Sequence, residues 1–225
     1  LIQVRERVEA SARRSGREVQ SIRIVGVSKG QSAERVRAAV EAGLSDLGAN
    51  YVQEWERQSG ELGTLPIQWH FVGRLQRRKL SKIVGKVDLI HSVSRWEELE
   101  DIHRRALSAG LCQDALVQVN IANEPTKSGV NPEETEELVK MAGKLSGVRI
   151  RGLMFMPPPE QDPEKTRAWY RKGQRLLVRL QESLKSDATY LNELSMGMSG
   201  DFEIAIEEGA TIVRVGTSVF GSRPG

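Results

Sequence analysis

Eight short apolar runs, each followed by an amphipathic stretch, constrain this chain more than any other feature of its sequence. The runs cover residues 22–27, 44–48, 67–72, 87–92, 115–121, 148–154, 190–195 and 211–215. Helical patterns cover residues 33–42, 52–59, 77–84, 95–109, 133–145, 166–184 and 201–208. Strands that alternate with helices need crossover connections, so this order predicts a parallel sheet covered by helices.

The number of units favours a closed barrel over an open sheet. From residue 22 to residue 211 the seven repeats average about 27 residues, close to the roughly 31 residues per unit of an eight-stranded barrel. An open doubly wound sheet has fewer strands and carries a glycine-rich fingerprint after the first. That position here reads Ser28-Lys29-Gly30-Gln31-Ser32, which is not such a fingerprint. We therefore predict an α/β protein in which residues 1–225 form a single (β/α)8 TIM barrel.

The N-terminal segment is predicted to cover the part of the barrel that the C-terminal segment does not. Residues 216–225 are too few for a full closing helix after the last run. An amphipathic segment, residues 2–12, precedes the first run. We expect it to form an extra N-terminal helix that supplies the missing outer cover, and we expect no second domain beside the barrel.

Composition limits the compartment and the partners. Hydrophobic residues make up 39% of the chain and charged residues 28%, and no apolar stretch is long enough to cross a bilayer. Cys112 is the single cysteine, and the three histidines do not lie at metal-ligand spacing, so neither a disulfide nor a metal site is predicted. The net charge of +3 comes from basic residues scattered among acids. We expect a cytoplasmic protein that binds neither nucleic acid nor membrane.

Lys29 is the first candidate for chemistry, because the active site of a barrel lies at the C-terminal ends of its strands. It follows the first apolar run closely. Most lysines are solvated surface residues, and that is the ordinary alternative here. At a barrel mouth, however, partial burial and nearby cations favour the neutral amine, which is the form that condenses with an aldehyde. Lys29 is therefore a candidate Schiff-base residue.

The last two runs end in residues that suit a phosphate group. Ser195 closes the seventh run, and Gly216-Thr217 follow the eighth. Glycine and hydroxyl residues also end many strands as ordinary turn residues. In barrels, though, the loops after strands seven and eight are the recurrent phosphate site, where backbone N–H groups and hydroxyls hold the dianion. We therefore predict that Ser195, Gly216 and Thr217 bind a phosphate.

Arg214 stands inside the eighth run, between two valines. It either points outward at an edge or lies in the pocket, where an unpaired charge is costly. Beside a pyridine ring, its guanidinium would donate a hydrogen bond to the ring nitrogen. A second cation about 4 Å away would cost roughly 4 kcal/mol at an effective dielectric of 20, or about three pK units, so the ring would stay unprotonated and act as a poor electron sink. The lysine, the arginine and the phosphate loops together point to pyridoxal 5'-phosphate as the cofactor.

Two further residues complete the predicted site. Asn50 precedes the second predicted helix, where it can cap the helix and also donate into the pocket. Met154 ends the sixth run, and its ordinary role in a core strand is compatible with a pocket wall. No catalytic residue is predicted.

Seven motifs occur in order along nearly the whole chain. They are Val27-Ser28-Lys29, Gly48-Ala49-Asn50-Tyr51-Val52-Gln53-Glu54, Trp69-His70-Phe71-Val72-Gly73-Arg74-Leu75-Gln76, Lys127-Ser128-Gly129, Arg151-Gly152-Leu153-Met154, Leu194-Ser195-Met196-Gly197-Met198-Ser199 and Arg214-Val215-Gly216-Thr217. This combination resembles the pyridoxal phosphate homeostasis proteins, the YggS/PROSC family. The chain departs from that family at Ala49, where Glu is usual, at Gly30, where Thr is usual, and at Arg77-Arg78, which add two positive charges near the mouth.

The resemblance implies a fold, a site and a function. The fold is the alanine racemase N-terminal type of barrel. Pyridoxal 5'-phosphate would be attached to Lys29, Arg214 would face the pyridine nitrogen, and Ser195, Gly216 and Thr217 would lie at the phosphate. The function is to hold the cofactor in vitamin B6 homeostasis and to influence the balance of amino acids and keto acids, without established catalytic turnover. The partners expected with it are the cofactor itself and either apoenzymes that require it or a regulatory protein, and we expect a monomer.

Two enzymatic alternatives remain open at this point. A racemase of this barrel type uses a second domain for a catalytic Tyr and for its dimer, and no such domain is expected here. A barrel enzyme acting on a phosphorylated sugar would need a carboxylate at a strand end. Asp46 and Asp88 are instead predicted within strands, and Glu54 on a helix.

Overall fold

Eight parallel strands form a closed barrel in the part of the chain that the computed structural model describes, residues 1–185 and 190–221. The strands follow one another around the barrel in chain order. They are β1 (Arg23–Val27), β2 (Asp46–Ala49), β3 (Gln68–Phe71), β4 (Leu89–Val93), β5 (Gln113–Gln118), β6 (Val148–Met154), β7 (Glu193–Ser195) and β8 (Ile212–Val215). The predicted barrel is confirmed, while positions 186–189 and 222–225 of the predicted domain lie outside the described residues.

Helices cover the outside of this barrel. They are α1 (Ile2–Arg14), α2 (Ala33–Glu41), α3 (Val52–Leu62), α4 (Trp96–Ser108), α5 (Thr135–Ala142), α6 (Pro163–Leu184), α7 (Phe202–Glu207) and α8 (Thr217–Phe220). Two short 3-10 helices lie at Val19–Ser21 and Arg77–Lys82. Within the described ranges, none of the helices has both the length and the apolar character that crossing a bilayer requires.

Residue alternation along the strands separates an inner from an outer core. Side chains of successive strand residues point to opposite faces, so every second residue faces the barrel interior. Val25, Leu89, Leu116, Met154 and Ile212 form a small buried cluster of their own. A larger apolar cluster, which includes residues of all eight strands except β1, packs against the helices. The interior is therefore narrow, and the residues that follow each strand surround its mouth.

Helix α1 packs on the outside of the barrel beside α7. Its residues Val4 and Val8 are buried in the outer core. The Arg7 guanidinium binds the Glu203 carboxylate at 2.6 Å, and Arg14 binds Glu207 at 2.7 Å, which ties α1 to α7. The expected N-terminal cover is confirmed.

The connection between β3 and β4 differs from the other connections between strands. The pattern over residues 77–84 predicts a helix, and the segment forms the 3-10 helix Arg77–Lys82 in place of the α-helix of the other connections. A 3-10 helix rises about 2.0 Å per residue instead of 1.5 Å, so a short connection covers more distance along the outside of the barrel. The buried Leu80 and the ion pair between Arg77 and Asp101 at 2.6 Å hold the segment against α4.

Candidate functional site

A pocket of about 380 Å³ opens where the barrel strands end. It is lined by Val27, Lys29, Gln31, Asn50, Val72, Met156, Met198, Ser199, Gly200, Arg214, Gly216 and Thr217. These residues come from six of the eight strand ends, so the pocket exists only once the barrel has closed. A larger cleft of about 770 Å³ lies between α5, α6 and the N-terminal end of β6, on the outside of the barrel and away from these strand ends.

Lys29 is half-buried in this pocket. Its Nζ lies 5.0 Å from the centroid of the Tyr51 ring. Within the described ranges the ammonium forms no ion pair with a carboxylate. An aromatic face attracts a cation without accepting its proton. Lys29 is thus held at the mouth by a contact that leaves its amino group free to react.

Helix α3 holds the backbone on both sides of Lys29. The fully buried Gln58 accepts a hydrogen bond from Ser28 Oγ at 2.7 Å and donates from Nε2 to the carbonyl oxygens of Ser28 and Gln31 at 3.2 and 3.3 Å. Gly30 N donates to Glu54 Oε1 at 2.5 Å. Sequence reasoning did not find Gln58, because a glutamine on an amphipathic helix carries no signal of the loop it will meet.

The loops after β7 and β8 are joined by Ser199. Its Oγ accepts hydrogen bonds from the backbone N–H groups of Gly216 and Ser218 at 3.1 and 3.3 Å. Gly197, with φ +89°, makes the turn below, where an added Cβ would lie 2.6 Å from the Cβ of Ala205. The small side chains Ser199, Gly200 and Gly216 leave the backbone at this end of the pocket open to an anion.

Arg214 reaches the same pocket from the barrel interior. It is 5% exposed, and its Nη1 donates to Ser195 Oγ at 2.6 Å while Nη2 donates to the Phe155 carbonyl oxygen at 3.1 Å. Burial lowers the pKa of Arg214 to about 10, which still leaves the guanidinium charged at neutral pH. The pocket therefore holds one fixed cation and, at Lys29, one amine.

Most of the predicted site residues come together. Five of the seven line this one pocket: Lys29, Asn50, Arg214, Gly216 and Thr217. The Oδ1 atom of Asn50 is buried and has no hydrogen-bond partner in the described residues. A buried polar atom without a partner is costly, so this oxygen is available to a ligand.

The structure places Met154 and Ser195 below the pocket and not in its lining. Met154 is 1% exposed and belongs to the inner apolar cluster, while Ser195 is fully buried. Their contact with a cofactor stays a prediction. Met156, two residues after Met154, and Ser199, four residues after Ser195, stand nearer the rim and do line the pocket.

A second group of polar residues, which the sequence did not point to, lies inside the barrel. Asp46, His70 and His91 are connected by hydrogen bonds to Ser195, and through it to Arg214. Burial lowers the pKa of His91 well below its ordinary value, and the nearby cations act in the same direction. Burial would raise the pKa of Asp46, but hydrogen bonds from His70 and Ser45 hold it below its ordinary value. The histidines were set aside at the sequence level because their spacing suits no metal.

Comparison with known proteins gives consistent matches over the whole chain. Residues 2–224 match the family described as alanine racemase, N-terminal domain. A pyridoxal phosphate homeostasis protein of Aquifex aeolicus is 42% identical over 223 residues, which are 99% of this chain and 96% of that protein. One of Escherichia coli is 34% identical over 226 residues, covering 99% of this chain and 95% of that protein.

Solved structures agree with these matches. PipY of Synechococcus elongatus, solved with PLP bound, is 34% identical with a TM-score of 0.84, over 96% of this chain and all of that chain. An alanine racemase of Clostridium difficile 630 is 16% identical with a TM-score of 0.74, and the match covers 97% of this chain but 56% of the racemase. The racemase likeness shows a shared fold.

Proposed function

Because this chain belongs to the alanine racemase N-terminal domain family, and within it to the pyridoxal phosphate homeostasis proteins, we propose that it binds pyridoxal 5'-phosphate and serves in vitamin B6 homeostasis. The observation that carries the proposal is the convergence of Lys29, Arg214 and the Ser199–Gly216 loops on one pocket. PipY, which shares the fold at 34% identity, has been solved with PLP bound.

The pocket has the features that this cofactor requires. Its small-residue loops suit a phosphate dianion, and backbone N–H groups lie at that end. The buried Asn50 Oδ1 lacks a partner within residues 1–185 and 190–221. A ligand hydroxyl or protonated nitrogen would satisfy it. Lys29 is free of carboxylates in the same part of the chain.

Each residue of the pocket has a separate task in this proposal. The cofactor, when bound, supplies an aldehyde that condenses with a primary amine. Lys29 provides that amine and gives up its proton, while α3 fixes its backbone through Gln58. Arg214 donates hydrogen bonds and does not give up its proton, so it orients a ring nitrogen without protonating it. Gly216 and Thr217 hold the phosphate, with Ser199 joining their loop to the one after β7.

The protein, in our proposal, holds the cofactor and does not turn over a substrate. Among the twelve lining residues, which all lie in the described ranges, Lys29 is the one primary amine, and no Asp, Glu, His, Tyr or Cys is among them; Tyr51, outside the lining, contacts Lys29 through its ring face. Racemisation by two bases needs a second group that exchanges protons. The charge of Arg214 also opposes the protonated ring that stabilises a carbanion. We further propose that residues 1–225 act as one domain, as a cytoplasmic monomer that can pass the cofactor to apoenzymes or answer to a regulatory protein.

Visible absorption of the protein mixed with pyridoxal 5'-phosphate tests the covalent link. We expect a new absorption band, together with a modified peptide containing Lys29 after borohydride reduction and mass spectrometry. Lys29→Ala should lose both. Lys86→Ala is the matched control, because Lys86 is an exposed lysine away from the pocket lining. An unchanged band in Lys29→Ala would refute the assignment.

Chiral analysis of amino acids tests the enzymatic alternative. The loaded wild-type protein and Lys29→Ala are incubated with single enantiomers of several amino acids. Equal, background interconversion by the two proteins is expected. Interconversion that is present in the wild-type protein and absent from Lys29→Ala would make the protein a racemase.

A further inference from the structure

A continuous chain of hydrogen bonds runs through the barrel interior from the pocket to β2. Arg214 Nη1 donates to Ser195 Oγ at 2.6 Å. Ser195 Oγ lies 2.9 Å from His91 Nδ1, and His91 Nε2 lies 2.8 Å from His70 Nδ1. His70 Nε2 lies 3.0 Å from Asp46 Oδ1. Every ring nitrogen of the two histidines is therefore engaged.

This chain of hydrogen bonds is shielded from water along its length. Ser195, His70 and His91 are fully buried, and Asp46 and Arg214 are each 5% exposed. In such surroundings a polar atom without a partner is costly, so the protons must be distributed to leave none unpaired. The two ends limit this distribution, because a guanidinium can only donate and a carboxylate can only accept.

Other charged groups approach the chain at its two ends. At the β2 end, Arg23 Nε lies 3.9 Å from Asp46 Oδ1, and Arg23 also binds Glu193 at 2.8 Å. At the pocket end, Tyr170 donates to Asp201 at 2.7 Å, and this pair adds negative potential near Arg214. The positive charge of Arg214 and the negative charge of Asp46 balance each other, so no third charge is needed inside the barrel.

One proton arrangement satisfies every atom. His70 donates from Nε2 to Asp46, so in its neutral form Nδ1 accepts from His91 Nε2. His91 Nδ1 then accepts the Ser195 hydroxyl proton, and Ser195 Oγ presents a lone pair to Arg214. An added proton would make His70 a cation and reverse the His91 tautomer, which would leave the Ser195 hydroxyl without an acceptor in the described residues.

We infer that His70 and His91 are positioning residues for the pocket, which align Arg214 by fixing the direction in which the Ser195 hydroxyl points. Asp46, the first residue of β2, sets the donor-to-acceptor direction of all these hydrogen bonds although it is not part of the pocket lining. The effect on a bound cofactor rests on the proposed function. The proton arrangement itself does not, because it belongs to the free protein.

Nitrogen-15 NMR of the histidine rings in the protein without cofactor tests the arrangement directly. We expect the ring proton on Nε2 in each of the two buried histidines, with Nδ1 of each ring acting as an acceptor. The third histidine, His103, is assigned from its loss in His103→Gln. A ring proton on Nδ1 of His91, or a doubly protonated His70, would overturn the inference.

Asp46→Asn tests whether the direction is transmitted. The variant keeps the size of the side chain and removes the charge, and its amide can donate to His70 as well as accept from it, so it no longer fixes the direction. We expect the ring shifts of His91 to change although His91 does not contact Asp46, and the dissociation constant for pyridoxal 5'-phosphate to rise about five- to tenfold. Asp101→Asn is the matched control, since Asp101 is also a 5% exposed, ion-paired carboxylate but lies on α4. Unchanged His91 shifts in Asp46→Asn, or equal losses of affinity in the two variants, would overturn the inference.

His91→Gln keeps the test decisive if Asp46→Asn does not fold. The glutamine amide can still donate to His70 but leaves Ser195 without its acceptor. The expected result is again a five- to tenfold weaker cofactor affinity, and wild-type affinity would contradict the inference. Should the wild-type protein bind no cofactor, the proposed function fails, while the histidine tautomers still decide the present inference.

Discussion

Replacement of Gln58 by leucine tests how much the hydrogen bonds that hold the Lys29 loop contribute, while Lys29 itself is left unchanged. Gln58 makes three hydrogen bonds to the β1–α2 loop, one with the Ser28 hydroxyl and two with carbonyl oxygens. Leucine has a similar volume and makes none of them. The Ser28 hydroxyl and the Gln31 carbonyl oxygen would then lack partners, while the Ser28 carbonyl oxygen keeps its bond from Gln31 N–H. Each of the three lost hydrogen bonds contributes about 1 kcal/mol, and more where water cannot enter.

The expected loss of stability is therefore about 3 kcal/mol. For a chain of 225 residues, this corresponds to a fall in the melting temperature of roughly 6–12 °C. The cofactor affinity should fall as well, because Lys29 follows Ser28 directly and its backbone position is no longer fixed. We expect the dissociation constant for the cofactor to rise about tenfold when one or two of these hydrogen bonds no longer hold the loop.

Urea unfolding followed by circular dichroism, without cofactor, measures the first effect, and titration with pyridoxal 5'-phosphate measures the second. Gln53→Leu is the control, because Gln53 lies on the same helix and is exposed. A loss below about 1 kcal/mol, or equal losses in the two variants, would refute the reasoning that these hydrogen bonds hold the loop.

Three further predictions concern the interior and the backbone. The folded protein keeps His91 neutral, so below about pH 6.5 the unfolded chain binds a proton that the folded one does not. The free energy of unfolding therefore falls with falling pH, by up to about 1.4 kcal/mol per pH unit. Urea unfolding between pH 5 and 7.5 should show a weaker dependence of this free energy on pH for His91→Gln than for His103→Gln, and equal dependences would contradict the prediction. Gly152→Ala should destabilise by several kcal/mol, because its Cβ would lie 1.8 Å from a β7 carbonyl oxygen, whereas Gly16→Ala, with φ +66° and open space, should cost only about 1–2 kcal/mol in the same assay. Asn50→Ala should leave the stability of the free protein nearly unchanged and weaken cofactor binding about tenfold by titration, since Asn50 Oδ1 lacks a protein partner in the described residues; a large loss of stability would contradict it.

The fold was accessible from the sequence because its signal is periodic. Each of the eight apolar runs became a strand, with ends shifted by up to three residues. The segment 77–84 was the exception, since helical periodicity does not distinguish an α-helix from a 3-10 helix that must cover a longer path. Periodicity indicates which face of a segment is buried. The distance that the connection must cover between two strands decides whether it forms an α-helix or a 3-10 helix.

The site was accessible only in part. Lys29, Arg214, Gly216 and Thr217 were found because each follows or ends a strand, and in a parallel barrel all strand ends meet at one mouth. Ser195 and Met154 lie below the pocket lining, because the sequence does not state the height of a residue along a tilted strand, and their contact with a cofactor stays a prediction.

The amino-acid sequence by itself determined that the chain forms a barrel and that an amine, a guanidinium and a loop of glycine and hydroxyl residues meet at the C-terminal ends of its strands. Only the tertiary structure decided that Gln58 holds the amine's loop and that two distant histidines connect the guanidinium to Asp46. The physical reason is that strand order and burial follow from local patterns, whereas hydrogen bonds across the interior join residues up to 104 positions apart, and closure of the barrel alone brings them within reach.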